Sequence, residues 1–566
     1  MEQQRPLLFI ALAVILFMIW QAWMRDQVAL KPPAPTPAAP AAGAAKTPAA
    51  PAAAPDEVPQ APETPAAEAV PAGPESAAFP SRGRLVVVTD VLRAEIDTFG
   101  GDLRVADLLA YPVSVEEPDH PVRLLSETPP VVHVAQSGFT VKRKRVPGVL
   151  YEAPNHRTPW NGRTGEYRLE DGGDTITVSL TWTSPEGLRF TKFYDFRRGS
   201  YEITVRHRVD NPTASPWRGN LYGQLLRSGD DSGSQGMVYT YTGGVYYTPE
   251  EKYRKVGFDD MDEEPVTRTG VTGGWVAFIQ HYFLAAWIPP ADVPHRLSAR
   301  ARRDGRYVMA ITSPEAEVAP GASGEFSARL YVGPKLQRAL EEVAPGLELT
   351  VDYGLLTVIA KPLFWLLDWL HRLVGNWGWA IVLLTVIIKL AFYKLSETSY
   401  RSMAKMRKLQ PKMMALRERY GNDRQKMGQA MMELYRKEKV SPLGGCLPIA
   451  IQIPVFIALY WVLLESVELR QADWILWYKD LSTRDPYFVL PLIMGATMFL
   501  QQKLNPPQID PMQQKIMMAL PLVFTVFFLF FPSGLVLYWV ANNILSIAQQ
   551  WYITRRVLGE GQPARR

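Results

Sequence analysis

The chain lacks most of what soluble enzyme chemistry requires. It has one cysteine, Cys446, among 566 residues, so no internal disulfide can form. Its seven histidines show no metal-ligand spacing, and no phosphate-binding loop, nucleophile elbow or zinc-helix motif is present. We therefore expect no enzymatic activity, no catalytic residues, no cofactor and no bound metal.

What is present is a polar middle between strongly apolar ends, with a formal net charge of +5. Residues 7–23 form an apolar helix candidate behind Arg5, long enough for a membrane anchor or a signal peptide. A cleaved signal needs small residues just after the apolar stretch, whereas Trp20, Trp23, Met24 and Arg25 lie there. An uncleaved anchor is the favoured interpretation, and a cleaved signal is the alternative.

The next segment is a spacer. Residues 31–80 contain 33 Ala or Pro in 50, a composition that cannot bury a core and is typical of a disordered, semi-rigid linker. From about residue 84 to 345 the pattern is β. Tyr201, Ile203, Val205, His207 and Val209 alternate with polar residues, which predicts a half-buried strand.

Two further features support an antiparallel β-sandwich in this region. The dipeptide at residues 304–305 separates two strand-like runs, 296–303 and 306–312, and predicts a hairpin. Repeated short strands over this length are typical of a sandwich. His207 would lie on the inward face as a hydrogen-bonded core histidine, since nothing nearby completes a ligand set.

The C-terminal half predicts a membrane-embedded helical region. Residues 355–372 are apolar but carry Lys361, Asp368 and Arg372 on one helical stripe, which favours an interfacial helix over another span. The loop 396–441 has twelve Lys or Arg against five acids, and the loop 465–486 has three against five. The positive-inside rule then places both termini in the cytoplasm and the β-domain outside. The five predicted spans are 376–395, 447–464, 487–500, 516–531 and 535–552.

Lys389 is the most informative residue in these spans. A cation inside a spanning helix is costly and usually faces protein or a water-filled cavity. The alternative is that Lys389 and Lys394 both snorkel to one membrane face. Other polar residues recur in the spans and, together with Lys389, predict a hydrophilic concavity, although each alone fits ordinary interhelical hydrogen bonding. They are Thr385, Gln452, Thr497, Thr525, Asn542, Asn543 and Ser546.

The loop 396–441 has its own helical pattern. Met403, Met406, Leu409, Met413 and the residues that follow recur at spacings of three and four, and a second such run begins at Met427. This predicts a helical hairpin with a coiled-coil seam. Its basic face could meet anionic lipid or ribosomal RNA, or could simply be solvated.

Several long strings in this half resemble a known family. "SMAKMRKLQPKMMALRERYG", "MMELYRKEKVSPLGGCLP", "SVELRQA", "DPMQQKIM" and "FTVFFLFFPSGLVLYWV" closely resemble the YidC membrane insertases of Gram-negative bacteria. The resemblance is dense from about 375 to 556 and also fits the order of anchor, spacer, β-domain and interfacial helix. It implies a five-helix core around a hydrophilic groove that is open to the cytoplasm and lipid and closed to the periplasm, with a periplasmic β-supersandwich.

The resemblance also implies site residues and partners. The groove arginine of the family is replaced here by Lys389, which keeps the charge but loses the bidentate fork. The groove threonine of the family corresponds to Thr385, the paired aromatic position to Tyr538 and Trp539, and nascent-chain contacts fall near Pro448, Ile453, Phe456 and Phe527; Gln452 joins them as a polar contact. The implied partners are nascent membrane proteins, SecYEG, SecDF, ribosomes and the lipid bilayer, with no DNA.

The predicted organisation is therefore an α-helical polytopic protein of the bacterial inner membrane with a β-supersandwich domain. Two other functions stay open: a transporter with Lys389 as substrate site, and a membrane-tethered carbohydrate-binding envelope protein. The predicted segments are an anchor (1–25), a disordered linker (26–83), the periplasmic domain (84–345), an interfacial helix (346–375), a first span (376–395), a cytoplasmic hairpin (396–441), four further spans (442–556) and a basic cytoplasmic tail (557–566).

Overall fold

The structure, a computed structural model, describes residues 79–141, 146–229, 240–420, 423–438, 447–504 and 511–559. The described residues form two compact units, one ending at Val351 and the other beginning at Asp352. The predicted anchor, most of the predicted linker and residues 560–566 of the predicted tail lie outside the described residues.

The first unit is built from β-strands. Its described part contains β1 (Arg84–Val88), β2 (Leu92–Asp97), β3 (Asp102–Pro112), β4 (Pro121–Leu125), β5 (His133–Thr140), β6 (Gly165–Arg168), β7 (Thr175–Thr183), β8 (Arg189–Arg197), β9 (Glu202–Asp210), β10 (Trp217–Ser228), β11 (Gly243–Thr248), β12 (Lys252–Val256), β13 (Val266–Val271), β14 (Trp275–Ile279), β15 (Phe283–Ile288), β16 (His295–Ala301), β17 (Arg306–Thr312), β18 (Ala316–Val318) and β19 (Ser323–Pro334). Two short helices accompany them, α1 (Phe258–Glu263) and α2 (Gln337–Val343).

The strands form two sheets, which confirms the predicted β-sandwich. One sheet has the order β13-β16-β17-β10-β5-β3-β2-β1-β6, with β18 paired to β10 and β4 to β3. The other has the order β12-β11-β14-β15-β19-β9-β8-β7. Neighbouring named strands pair antiparallel, as predicted, except β1 and β6 at one edge, which pair parallel.

The strand periodicity in the sequence is confirmed at β9. Ile203, Val205, His207 and Val209 are all buried, and the residues between them are more exposed. The predicted hairpin is also confirmed, because β16 and β17 pair antiparallel and Arg296 lies opposite Thr312. Strand alternation is recoverable from sequence because one buried face imposes a period of two.

A buried polar cluster joins the two sheets. The Lys192 amine on β8 donates to the Gly101 carbonyl at 2.6 Å and to the Ser137 carbonyl at 3.2 Å, both on the opposite sheet. Asp102, next to Gly101, accepts from the Gln136 side chain at 2.8 Å. His207 behaves as predicted, since its Nε2 lies 3.2 Å from the Ser137 hydroxyl. Because buried polar groups are stabilised by hydrogen bonds, these bonds hold one sheet against the other.

Burial shifts the titration of this cluster. It raises the pKa of Asp102 to about 6, although the nearby Lys192 and Arg104 oppose the rise. It also lowers the pKa of Lys192 to about 8, against the attraction of Asp102. A carboxyl whose pKa is higher in the folded than in the unfolded state stabilises the fold below the unfolded pKa, and that contribution is lost as pH rises through the folded value.

We therefore predict a pH-dependent difference in stability between the parent and Asp102→Asn. As pH rises from about 4 to about 6, the parent should lose free energy of unfolding relative to the variant, because Asp102 ionises in the unfolded chain over that window while it stays largely protonated in the fold. Hydrogen exchange in β5 and β8, recorded during urea unfolding of the full chain in detergent, measures the difference in free energy of unfolding at each pH. Asp119→Asn, at an exposed position, is the control and should give a flat difference.

The second unit is helical. Its described helices are α3 (Thr357–Val374), α4 (Trp377–Ala391), α5 (Tyr393–Tyr420), α6 (Arg424–Lys437), α7 (Leu447–Glu465), α8 (Val489–Leu504), α9 (Pro511–Phe528) and α10 (Ser533–Gly559). The last of these is central, because α10 packs against α4, α5, α7 and α8. Helix α3 packs against α4 and α7 and exposes Val358, Trp365, Trp369 and Leu373, which are apolar.

The helix predicted over 376–395 ends early. Helix α4 stops at Ala391, Phe392 leaves helical geometry at φ −91° and ψ 10°, and α5 continues at an angle of 68° to α4. The residues after Phe392 therefore belong to the next helix, which contradicts the predicted boundary. Within the described residues, none of the helices taken alone has the length and apolar character to cross a membrane; the bent pair of α4 and α5 passes only when its two helices are combined.

The predicted helical hairpin is confirmed as α5 and α6. Leu409 and Met413 of α5 form a buried cluster, and Met406, Met431, Leu434 and Tyr435 pack against it. An ion pair of 2.6 Å between Lys412 and Glu438 lies beside the seam. The seam follows from apolar residues at spacings of three and four on both helices.

Candidate functional site

A cavity of about 380 Å³ lies among α4, α5, α7, α8, α9 and α10. Of its described lining residues, one is charged, none is acidic, and the others are amides, hydroxyls, thioethers, aromatic rings and a few aliphatic side chains. They are Lys389, Ser396, Ser399, Tyr400, Met403, Gln452, Ile453, Phe456, Met498, Gln501, Gln502, Met517, Leu520, Pro521, Tyr538, Trp539, Asn542, Asn543 and Ser546.

Lys389 provides the charge of this cavity. It lies in the last turn of α4, is half-buried, and its amine donates to the Ser546 hydroxyl on α10 at 2.8 Å. Among the described residues no carboxylate forms an ion pair with it. Its charge is therefore solvated by neutral oxygen rather than neutralised, which leaves it available to an anionic group that enters the cavity.

Hydrogen bonds around Lys389 link four helices, α4, α7, α8 and α10. The Ser546 hydroxyl donates to the Asn542 carbonyl at 2.7 Å, one turn earlier on α10. The Gln452 amide on α7 donates to the Asn542 side-chain oxygen at 2.8 Å. The neighbouring Asn543 donates to the Thr497 hydroxyl on α8 at 3.2 Å. The polar residues that the sequence scatters over four spans are thus brought together.

The apolar part of the lining is aromatic. The Phe456 ring lies 4.5 Å from the Trp539 ring and 6.0 Å from the Tyr538 ring. Ile453, one turn from Phe456 on α7, is about half exposed. The cavity therefore has an amphipathic lining, with a hydrogen-bonding part beside Lys389 and a ring-rich part at the middle of α7 and near the start of α10.

Three of the predicted site residues do not line this cavity as described. Thr385 is 1% exposed, and its hydroxyl donates to the Ile381 carbonyl of its own helix at 2.7 Å. Phe527 packs on Phe531, with ring centroids 4.7 Å apart. Pro448 belongs to α7, but its side chain lies outside the described residues.

The two lysines that end the first predicted span have different surroundings. Lys389 lies in the cavity, whereas the Lys394 side chain is 93% exposed and its amine is 3.7 Å from Glu397. The bend at Phe392 separates them. The alternative in which both amines reach the same face does not describe this geometry.

The sequence analysis missed two parts of the lining. Ser396, Ser399, Tyr400 and Met403 lie on one face of α5, at spacings of three, four and seven, but they were assigned wholly to the hairpin. Gln501 and Gln502 follow the apolar run on α8 and were excluded because the predicted span ended at 500. A helical spacing of polar residues next to the bend was the available signal.

Among the described residues, no group of three or more His, Cys, Asp or Glu side chains could hold a metal ion.

The family model described as "YidC periplasmic domain" matches residues 84–366, and that described as "60Kd inner membrane protein" matches residues 369–560. A membrane protein insertase YidC of Thioalkalivibrio sulfidiphilus is 54% identical over 570 residues, covering 99% of this chain and 100% of the relative. The chain belongs to the YidC family.

Further YidC relatives give the same result. The membrane protein insertase YidC of Methylococcus capsulatus is 57% identical over 476 residues, which is 84% of this chain and 86% of the relative. That of Nitrosococcus oceani is 49% identical over 571 residues, or 99% and 100%. YidC homologues are inner-membrane proteins with a periplasmic domain, as the two family descriptions state.

Solved structures similar to the chain include an active YidC insertase with its first transmembrane domain resolved. Its TM-score is 0.38 at 18% identity, and the match covers 84% of this chain and 93% of that one. A galactose mutarotase-like protein from Lactobacillus casei has a TM-score of 0.30 at 10% identity, and the match covers 44% of this chain and 100% of that one.

The wall formed by α8 and α9 depends on a glycine. A methyl group added at Gly495 of α8 would lie 2.0 Å from the Thr525 hydroxyl oxygen of α9 and 3.2 Å from the Thr525 Cβ. We predict that Gly495→Ala destabilises the full chain in detergent by about 1–3 kcal/mol, because the helices must separate. Gly428→Ala on α6, where a methyl group has no neighbour within 4 Å, is the control and should stabilise slightly. Equal thermal unfolding temperatures for the two variants would contradict this packing.

Proposed function

We propose that this chain inserts newly made proteins into the inner membrane, and that the cavity around Lys389 is the groove through which their polar segments pass. The observation that carries the proposal is the half-buried Lys389 ammonium, which bonds a neutral hydroxyl and has no described carboxylate partner. Membership of the YidC family, whose curated relatives are named membrane protein insertases, supports it over a transporter or a carbohydrate-binding protein.

The polar lining suits a passing hydrophilic segment. Moving peptide groups and charges into lipid costs several kcal/mol per unsatisfied group, because they lose hydrogen bonds to water. Gln501, Gln502, Asn542 and Asn543 offer amide donors and acceptors along the cavity. A segment in transit exchanges hydrogen bonds with these groups and with water, so the barrier falls without tight binding.

The charge selects among such segments. An ammonium in surroundings less polar than water attracts a carboxylate over several ångströms, and the attraction is larger than at an exposed surface. Because the described lining holds no acid, nothing in it competes with an acidic residue of the substrate. We expect translocated segments rich in Asp or Glu to gain most from Lys389.

The apolar lining suits the part of the substrate that stays in the membrane. Ile453, Phe456 and Trp539 present aliphatic and aromatic surface, and Met403, Met498 and Met517 add flexible thioethers that adapt to varied side chains. A nascent spanning helix would leave along α7 and α9 into lipid. Pro448 and Phe527 keep their proposed role as contacts on this exit path, and Thr385 keeps its proposed role as the groove threonine.

The remaining assignments are proposals that the family resemblance supports. Both termini would be cytoplasmic and the β-unit periplasmic, in agreement with the positive-inside rule. The basic α5–α6 hairpin and the C-terminal tail would meet ribosomes bearing nascent membrane proteins, and SecYEG and SecDF would be partners in the membrane. The described segments 346–375 and 396–438 would be the interfacial helix and the cytoplasmic hairpin.

The proposal predicts how insertion depends on substrate charge. Lys389→Met should lower insertion of segments with several acidic residues by about fivefold relative to neutral segments, the effect of roughly 1 kcal/mol. Lys389→Arg should retain the preference. Cell-free insertion into proteoliposomes, scored by protease protection, measures it for segments with zero to four Asp residues.

Lys394→Met is the matched control. It removes a lysine five residues away whose side chain is exposed outside the cavity, so the charge preference should stay. The electrostatic role would be refuted if Lys389→Met inserted acidic segments as well as the parent does. It would also be refuted if Lys389→Met lost insertion of neutral and acidic segments to the same extent.

A further inference from the structure

The hydrogen-bond chain behind Lys389 gives Ser546 a specific task. The Ser546 hydroxyl has one proton, which it donates to the Asn542 carbonyl, so its lone pairs face the Lys389 amine and accept from it at 2.8 Å. The Asn542 carbonyl that takes this proton belongs to the backbone of α10, and the Asn542 side chain separately accepts from Gln452 of α7. The direction of the Ser546 hydroxyl is therefore set within α10, not by Lys389.

A lysine left to itself would not stay in this position. Its four-carbon side chain has about 2 kcal/mol of rotamer entropy, and the ammonium gains hydration by reaching toward bulk water. Lys389 lies in the last turn of its helix, so an exit toward the helix end is short. A neutral acceptor inside the cavity holds the amine there without cancelling its charge, which a carboxylate would do.

We propose that Ser546 is a positioning residue that holds the Lys389 ammonium in the cavity, where it meets acidic segments of the substrate. This inference rests on the proposed function and adds to it the group through which the charge is placed. The backbone carbonyl of Asn542 acts one step further back, by fixing the direction of the Ser546 hydroxyl.

A double-mutant cycle tests the inference in the full chain. Ser546→Ala should lower the preference for acidic over neutral segments by about threefold, the effect of one hydrogen bond of modest net strength. In a Lys389→Met background the same substitution should change the preference no further, because it acts through the amine. Ser546→Thr keeps a hydroxyl and should restore most of the preference.

Labelling gives a second measurement that a general loss of packing would not mimic. The rate at which a water-soluble acylating reagent modifies Lys389, followed by mass spectrometry, should rise in Ser546→Ala while labelling of Lys394 stays constant. The matched control is Thr398→Ala, which removes a hydroxyl bonded to a carbonyl four residues earlier, as Ser546 is, but at an exposed position.

The outcomes separate the two proposals. If Lys389→Met leaves the charge preference intact, the proposed electrostatic function fails and the positioning role fails with it. If Lys389→Met abolishes the preference while Ser546→Ala changes neither preference nor labelling, the positioning role alone is overturned. An equal effect of Ser546→Ala in both backgrounds also overturns it.

A different observation, at the other end of the helical unit, carries a second inference. The segment 466–488 follows α7 and is fastened to the starts of three other helices. The Asn376 side chain before α4 donates to the carbonyls of Asp473 and Trp474, both at 3.2 Å. The backbone N–H of Ser533, which begins α10, donates to the Thr483 carbonyl at 2.7 Å.

Asp485 organises this segment, which we call the clamp segment (466–488). Its carboxylate is 1% exposed and accepts from the Tyr478 hydroxyl at 3.0 Å, from Tyr487 N–H at 3.1 Å and from Leu490 N–H in the first turn of α8 at 2.8 Å. Gln471, Leu476 and Phe488 hold positive φ angles of 56–57°, a strained conformation that persists only where surrounding contacts impose it.

Lys389 and Ser546 lie far from the clamp segment along α4 and α10, although the cavity lining also reaches Tyr538 and Trp539, five and six residues beyond Ser533. Lys389 is 13 residues beyond Asn376 and Ser546 is 13 beyond Ser533, which is about 20 Å along each axis. The level between them is apolar and closely packed. Its described residues, each at most 4% exposed, include Ile381, Leu384, Leu459, Val462, Met494 and Leu537.

The family resemblance already implies that the groove is closed on this side, and we infer that Asp485 is the residue that maintains this closure, by organising the clamp segment. Four helix ends are tied to one loop, so the apolar level cannot separate there while the cavity at the other end takes in a polar segment. Loss of the carboxylate removes the acceptor of four donors, namely the three above and the Trp477 indole N–H at 3.4 Å, and releases the start of α8, which opens a leak.

Ion leakage tests the clamp segment. In proteoliposomes holding a pH-sensitive dye, Asp485→Ala should raise the proton leak driven by a diffusion potential at least about threefold, as expected when a buried network opens. Asp473→Ala removes an exposed carboxylate from the same segment and should leak no more than the parent. The thermal unfolding transition checks that Asp485→Ala is folded. A folded Asp485→Ala that leaks no more than Asp473→Ala would refute the closure.

A crosslink separates opening from misfolding. Thr483 and Ser533 lie opposite each other beside the antiparallel bridge of Arg484 and Pro532, a spacing that a disulfide can join. With Cys446→Ser removing the native thiol, the pair Thr483→Cys and Ser533→Cys should, when oxidised, suppress the leak of Asp485→Ala, and reduction should restore it. A leak that oxidation does not change would overturn the inference.

Discussion

An ammonium placed among apolar helices has to be solvated by something, and the choice of partner decides what it can do. A carboxylate would neutralise it, and lipid would expel it toward the headgroups. Here the partner of Lys389 is the hydroxyl of Ser546, whose own proton is committed to the Asn542 carbonyl. This contact joins α4 to α10, and a neighbouring hydrogen bond joins α10 to α7. Lys389 keeps its positive charge available because its partner is neutral.

The β-unit solves a similar problem by the opposite means. Lys192 and Asp102 are both buried between the sheets, where the Gly101 and Ser137 carbonyls accept from the amine and the Gln136 amide donates to the carboxylate. The two charges compensate each other, so neither is available to a ligand, and the pair serves to join the two sheets. The chain thus contains a structural lysine, Lys192, and a lysine available to substrate, Lys389, and they differ in whether a carboxylate lies nearby.

Periodicity made much of this fold predictable. Alternation at Ile203 to Val209 gives β9 because a single buried face enforces it, and the Met and Leu spacing near Leu409 gives the hairpin for the same kind of reason. The polar residues of the site were also visible in the sequence, since Gln452, Asn542 and Ser546 are conspicuous in apolar helices. What no local pattern encodes is which of them meet, because those contacts join residues up to 157 positions apart. The bend at Phe392 has no proline or glycine to announce it, so Ser396 to Met403 were assigned away from the cavity.

The bend also makes α5 a lever. This helix runs 28 residues from Tyr393 to Tyr420, about 42 Å, and Pro411 lies within it without ending it. Its first turns form a wall of the cavity, and its far half is stiffened by α6. With Phe392 as the fulcrum, Met403 lies about two fifths of the way to the tip, so a bulky particle leaning on the tip would swing that wall by about two fifths of the tip's travel. A rigid-body rotation of α5 about Phe392, driven by a force on its far end, would thus change the width of the cavity.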